Sequence, residues 1–168
     1  LGFWQLSRGA EKSALLQSYT ERRAAEPMAS TELQHTADPA FRRVRLHGQF
    51  DAAHSLLLDN RTRAGQAGVE LLQPFYEQSS GLWLLVNRGW LAWPDRRTPP
   101  AFTTPEQPLN LDAWVYVAPG ETFQLHADPQ GGRWPHLLTA VDAAQLWPQL
   151  GREGFAHELR LEPGPASY

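Results

Sequence analysis

The residues best suited to metal or haem chemistry are six histidines: His35, His47, His54, His126, His136 and His157. An imidazole can ligate a metal or a haem iron, and helical metal sites place two of them at i, i+4. No two of these histidines have that spacing, and H-E-x-x-H is absent. His126-Ala127-Asp128 is a lone His-x-Asp, which an ordinary loop explains far better than a metal site. His157 shares strand parity with Phe155, Leu159 and Leu161, which reads as a mostly buried, satisfied imidazole. With no cysteine, disulfides, thiolate catalysis and cysteine-ligated metal are excluded. Neither G-x-S-x-G, a phosphate-binding G-x-x-x-x-G-K nor G-x-G-x-x-G occurs. Asp51 and Asp59 form no recognisable acid–base pair, so no catalytic constellation is visible and the chain is expected not to be an enzyme.

Arginine beside aromatic residues is the stronger signal. Asn87-Arg88-Gly89-Trp90 is followed by Trp93, Arg96 and Arg97, and Asn60-Arg61 stands upstream. Guanidinium and indole groups stack on planar ligands and pair with anions. A nucleobase with its phosphate fits that chemistry, as does a porphyrin with its propionates. The competing local account has Asn87 and Gly89 shaping a turn while Arg88 pairs with a nearby carboxylate.

These groups need a scaffold. The chain has 168 residues, 42% hydrophobic and 20% charged, with a net charge of −3. One domain of this size can bury a full core, and the acidic balance argues against bulk nucleic-acid binding. Lys12 is the one lysine among 15 basic residues and isoleucine is absent, a bias that points to a GC-rich bacterial source. The apolar run Leu82–Val86 is far short of the roughly 20 residues that span a bilayer.

Helix formers fill Trp4 to about Ala25, and Pro27 ends that helix. Period-two patterns then predict strands at 44–50, 54–60, 69–76, 82–90, 111–117 and 155–161. Gly48 at an inward position predicts a bulge or a close backbone contact, and Pro74 an edge or a bulge. Leu82–Val86, apolar on both faces, predicts a central strand. Thr139 to Asp142 resembles a capping box opening a short helix that Pro148 kinks or stops. The Pro-rich stretch 92–108 is an inserted loop. The expected class is α+β: a mainly antiparallel sheet of about six strands, able to close into a small OB-like barrel, with an N-terminal helix and one short C-terminal helix.

Several blocks, in order, resemble one family. They are Leu1-Gly2-Phe3-Trp4-Gln5-Leu6, Phe41-Arg42-Arg43-Val44, Leu58-Asp59-Asn60-Arg61, Gly68 to Phe75, Leu85-Val86-Asn87-Arg88-Gly89-Trp90 and Arg133-Trp134-Pro135-His136. Together they are similar to the Surfeit-locus-one family of cytochrome oxidase assembly proteins. The resemblance implies residues 1–168 are one extramembrane domain, truncated at both ends relative to a parent with two flanking membrane helices. It implies a domain facing the periplasm in a bacterium or the intermembrane space in a mitochondrion; with the compositional bias, the expected setting is the inner membrane of a bacterium, with this domain on the periplasmic side. It also implies partners in oxidase subunit I or its assembly intermediates, and haem a bound by the intact protein through a ligand outside this piece.

The leading expectation is therefore a non-enzymatic factor assisting haem a insertion. A cofactor-free scaffold binding oxidase subunits comes second, and an OB-like binder of single-stranded nucleic acid third. Candidate cofactor contacts are His54, His136 and Arg88. Asn60, Arg61, Asn87, Arg88, Gly89 and Trp90 are expected to form one functional surface at a rim of strand ends. No metal site is expected.

Overall fold

The computed structural model describes residues 17–18, 20–95, 97–98, 100–117, 136–138, 142–164 and 166–168, with backbone alone at 60–63 and 136. Residues 17–18 and 20–24 are helical, and the rest of the expected N-terminal helix lies outside the described residues. Eight strands follow: β1 (Met28–Ala29), β2 (Arg43–Phe50), β3 (Leu56–Arg63), β4 (Gln66–Glu77), β5 (Leu82–Ala92), β6 (Leu109–Tyr116), β7 (His136–Leu138) and β8 (Gly154–Leu161). β1 and β7 carry too few residues to show a period, and neither is visible in the sequence pattern.

The sheet runs β1-β2-β6-β8-β5-β4-β3-β7, and β2 also pairs with β4. That extra pairing closes β2, β6, β8, β5 and β4 into a five-stranded barrel. Most pairings are antiparallel, but β5–β8, β1–β2 and β3–β7 are parallel, so the sheet is mixed. The closing seam depends on Gly48. A Cβ there would overlap the carbonyl of Tyr76, so only glycine lets β2 meet β4 and β6 together. Pro74 lies inside the sheet rather than at its edge, opposite Leu85 of β5. It is tolerated because β4 changes neighbours there, from β3 at Leu72 to β2 at Phe75. Its carbonyl accepts the Asp51 N–H at 2.8 Å across that gap, and its nitrogen faces the same way.

Inside the barrel pack Val44, Leu46, Phe50, Phe75, Leu84, Val86, Val115 and Leu159. Outside it, Leu72 and Leu85 are covered by Leu56 and Leu58 of β3 and by Ala143, Leu146 and Trp147 of a helix, Ala143–Leu150. A third cluster joins Leu57, Val69, Leu71 and Leu91 to Trp93 and Phe102. β4 and β5 are thus buried on both faces, which explains their apolar runs. The helix starts at Asp142, whose side chain accepts the Ala144 N–H at 3.0 Å, and residues 139–141 of the expected capping box lie outside the described residues. Pro148 does not stop it: its missing donor would meet exposed Ala144. The helix ends at Gly151, at φ 66°, with the Gly151 N–H on Pro148 O and the Arg152 N–H on Trp147 O, a Schellman motif.

Candidate functional site

Strand alternation at the end of β5 sends Arg88 inward, in line with Leu84 and Val86, and Asn87 outward, in line with Leu85. Arg88 is 3% exposed. Its Nε donates to Ala166 O at 3.0 Å, and its Nη1 donates to Gln73 Oε1 at 3.1 Å and Thr104 Oγ1 at 3.3 Å. The guanidinium carbon sits 5.2 Å from the Phe50 ring and 5.0 Å from the Tyr168 ring. Gln73, fully buried, donates to Ser55 Oγ at 2.9 Å and Thr104 Oγ1 at 2.8 Å. The Tyr168 N–H donates to Arg88 O at 2.6 Å, while its hydroxyl accepts the Thr103 N–H at 2.9 Å and donates to Thr103 O at 3.2 Å. A polar layer thereby closes one barrel mouth, joining β4, β5, the Pro-rich stretch and the segment 166–168. Gly89, at φ 123°, is required: a Cβ would strike the Tyr168 backbone.

Burial lowers the Arg88 pKa, against an opposing effect of Tyr168. For Tyr168, burial is the largest effect and acts upward, but Thr103 and Arg88 together bring the phenol below its usual value.

Asn87 organises the outer face. Its Nδ2 donates to Glu70 Oε2 at 2.8 Å and Glu158 Oε2 at 3.2 Å, and its Oδ1 accepts the Gly89 N–H at 2.9 Å. Arg160 Nε donates to Glu158 Oε2 at 3.0 Å, with its guanidinium 3.6 Å from the Tyr116 ring. Trp114 stacks on Phe41 at 5.6 Å and under Arg23 at 4.3 Å. Burial raises the Glu158 pKa, which Arg160 and Asn87 only partly offset.

The histidines lie elsewhere. His54 ends a short 3-10 turn with Nδ1 2.6 Å from Asp51 Oδ2. Arg152 Nη1 is 2.8 Å from the same oxygen, and its guanidinium stacks on Trp83 at 4.0 Å. Burial would raise the Asp51 pKa, but His54 and Arg152 outweigh it and hold the carboxyl below its usual value. The His136 backbone lies opposite Leu56, the first residue of β3, two residues after His54.

Compared with known proteins, residues 1–167 match the model of the SURF1 family. The chain belongs to the SURF1 family. It is 28% identical over 155 residues to Surfeit locus protein 1 of Xenopus tropicalis, covering 80% of this chain and 50% of that protein. A SURF1-like protein of Monosiga brevicollis is 30% identical over 111 residues, covering 60% of this chain and 42% of that one. The cytochrome oxidase assembly protein SHY1 of Saccharomyces cerevisiae is 28% identical over 95 residues, 55% of this chain and 24% of SHY1. The chain thus spans half or less of the length of these relatives, all of them eukaryotic.

In this SURF1 chain the expected surface needs correction. Asn87 and Arg88 are 4% and 3% exposed, so neither is a rim residue. Arg88 is inward because it shares parity with Val86, and its partners are neutral groups rather than the local carboxylate of the competing account. Gly89 is a packing contact. Trp90 is half-buried against Gly68, where a Cβ would overlap its ring. Asn60 and Arg61 are placed by backbone alone; β4 lies between Arg61 and Ala92, at the same end of the sheet. His126 lies outside the described residues.

The cleft that Arg88 lines contains no histidine. The cleft beside Arg88 is about 220 Å³, below the roughly 300 Å³ at which small-molecule pockets begin. A groove of about 630 Å³ runs over β2 and β6, away from Arg88 and His54. Its polar groups are engaged with one another: His47 Nδ1 sits 2.7 Å from Asn110 Oδ1 and Arg45 Nε 3.7 Å from Asp112 Oδ1. No group of three or more metal-binding side chains occurs among the described residues.

Proposed function

We propose that this chain is the extramembrane barrel of a cytochrome oxidase assembly factor and that it works by binding rather than by turnover. The observation that carries this reading is the SURF1 match over residues 1–167, together with the similarity to the cytochrome oxidase assembly protein SHY1. The geometry supports the non-catalytic part. The polar groups of the Asn87–Trp90 segment are spent on the barrel mouth and on an Arg–Glu network. Intermediates of the oxidase catalytic subunit are the proposed partners. The proposed setting is the inner membrane of a bacterium, with the barrel on the periplasmic side. Haem a, if the intact protein holds it, is proposed to be bound outside the residues described.

Two experiments test this. Deleting the gene in its host should reduce assembled oxidase, seen as loss of the haem a absorption band, and restoring the gene should recover it. A deletion strain with normal oxidase overturns the assembly role. Titrating haem into this chain should leave the Soret band at the free-haem position, whereas the longer parent protein should shift it. A shift with this chain would put the ligand in the barrel, and no shift with either would favour a cofactor-free scaffold.

The nucleic-acid reading loses its support to one observation. Small OB-type barrels bind through the outer face of their second and third strands. Here those are β4 and β5, and that face is covered by β3 and the helix through Leu56, Leu58, Leu146 and Trp147.

A further inference from the structure

The barrel mouth at Arg88 is closed by a short piece of chain with few anchors. β8 ends at Leu161, and Glu162 is still tied to the barrel: its N–H donates to Asp112 O at 2.9 Å, and its carboxylate lies 3.4 Å from Arg43 and 3.5 Å from Arg23. Beyond it Pro163 and Gly164 are exposed, and a Cβ at Gly164 would meet only Glu162 O, at 3.9 Å. Gly164 then closes on Ser167: the Ser167 N–H donates to Gly164 O at 3.1 Å, and Ser167 Oγ accepts the Gly164 N–H at 2.9 Å. This turn reaches the barrel at two residues. The Ala166 carbonyl accepts from Arg88 Nε and its methyl group packs in the core, while Tyr168, 45% exposed, is held by Arg88 O and Thr103. A methyl group is the smallest apolar anchor a core contact can have. Against this, the buried Arg88 guanidinium meets no carboxylate among its hydrogen-bond partners Ala166, Gln73 and Thr104, a costly state that water at the mouth would relieve. Weak anchorage on one side and a charge that gains from hydration on the other bring a closed and an open form close in free energy.

We propose that the turn of Gly164 and residues 166–168 is a strap that opens as a unit about Pro163 and Gly164 while the barrel stays folded, uncovering Arg88 and Gln73 to water. Glu162 is the fixed end, bound to β6 and to two arginines. Thr103 is the catch, taking both hydrogen bonds of the Tyr168 hydroxyl. The polar layer stays assembled behind the strap, because Gln73 keeps Ser55 and Thr104, and Arg88 keeps Gln73 and Thr104. The mouth thus has two states. A partner that reads its polar groups meets them in the open one, and binding there shifts the chain toward it. The strap differs from a loose end in that the barrel's polar layer opens with it. It does not depend on the assembly role, since opening is read on the chain itself.

The chain has no cysteine, so a single introduced thiol reports cleanly. Ala166→Cys puts one in the strap and Ala113→Cys one in the barrel wall, and each full chain is treated with a thiol reagent across a range of low urea concentrations. The thiol at 166 should react about a hundredfold faster than the one at 113, with little dependence on urea, since local opening exposes little surface. Tyr168→Phe, which keeps the ring and loses both bonds to Thr103, should speed labelling at 166 about tenfold. Deuterium exchange of the Arg88 Nε–H in the ¹⁵N-labelled chain should show the same weak urea dependence and the same acceleration by Tyr168→Phe. Should Ala166→Cys fail to fold, exchange of the Tyr168 N–H in the unaltered chain, compared with the Val86 N–H of β5, takes its place. Equal rates with equal urea dependence at the strap and barrel positions mean that the strap leaves only when the barrel unfolds, which overturns the proposal. So does an unaltered rate in Tyr168→Phe, or Arg88 Nε–H exchange that stays at the rate of the barrel.

Discussion

Arg88 holds three other stretches of chain that are far apart in sequence, through Gln73, Thr104 and the segment of Ala166 and Tyr168. Replacing it with alanine removes the side-chain bonds to Gln73, Thr104 and Ala166 and empties space at the barrel mouth, a loss of about 3 kcal/mol. Urea unfolding should show a lower midpoint for Arg88→Ala, with earlier proteolytic cleavage near residue 166. An unchanged midpoint would return Arg88 to a surface role. Glu158 gives a pH signature. Its pKa is raised from the usual 4.5 by burial, so the protonated form favours folding. That contribution is complete below the unfolded value and disappears as pH rises through the raised one. Glu158→Gln should therefore be the more stable protein at neutral pH, with the difference closing in acid. Thermal melts across pH check this, and a parallel offset at every pH would contradict it. Glu77 behaves oppositely. Burial acts to raise its pKa, but the His47 N–H, Ser30 and Ser80 outweigh it and stabilise the carboxylate. Its contribution is present above the usual 4.5 and lost as pH falls through the lowered value.

Strands and turns depend on where bulky or unusual residues fall. Gly48→Ala forces a Cβ into the Tyr76 carbonyl, and the relief has to come from the β2–β4 seam. A loss of about 3 kcal/mol or more is expected, with hydrogen-exchange protection falling first at residues 48–50 and 75–77. Wild-type protection there would mean the backbone absorbs the methyl group elsewhere. Much at this level was legible. Alternation located β2, β5, β6 and β8, the double-sided apolar run marked β5 as central, and Gly48 signalled its close contact. β1 and β7 were hidden because so few residues carry no period. Arg88 was misjudged because a motif drew attention to its chemistry while its parity with Leu84 and Val86 went unused. Gln73 offered the matching clue: a polar residue in the inward row of Val69, Leu71 and Phe75 announces a buried partner. The partners themselves, Thr104, Ala166 and Tyr168, lie in segments with no pattern, so only the folded chain could bring them in.

At the scale of the whole molecule, closure of the barrel followed from antiparallel hairpins, but the ring order did not, since sequence pattern cannot say that β2 meets both β4 and β6. The covered β4–β5 face leads to a simple expectation. Oligonucleotides added at low salt should show no saturable, salt-dependent binding, and fluorescence anisotropy with a labelled single strand measures it. Tight binding lost at high salt would mean another face serves nucleic acid.

The parallel contact between β5 and β8 has a consequence for biogenesis. Val86 finds its neighbour only when Leu159 exists, and Trp114 waits for Arg160. A growing polypeptide emerging in sequence order therefore leaves β5 and β6 with open edges until β8 has been synthesised. Contacts this distant along the chain slow folding and prolong exposure of apolar strands to aggregation. Ribosome-stalled intermediates ending before residue 154 should remain protease-sensitive along β5, and yield in a heterologous host should improve as translation is slowed or holding chaperones are supplied.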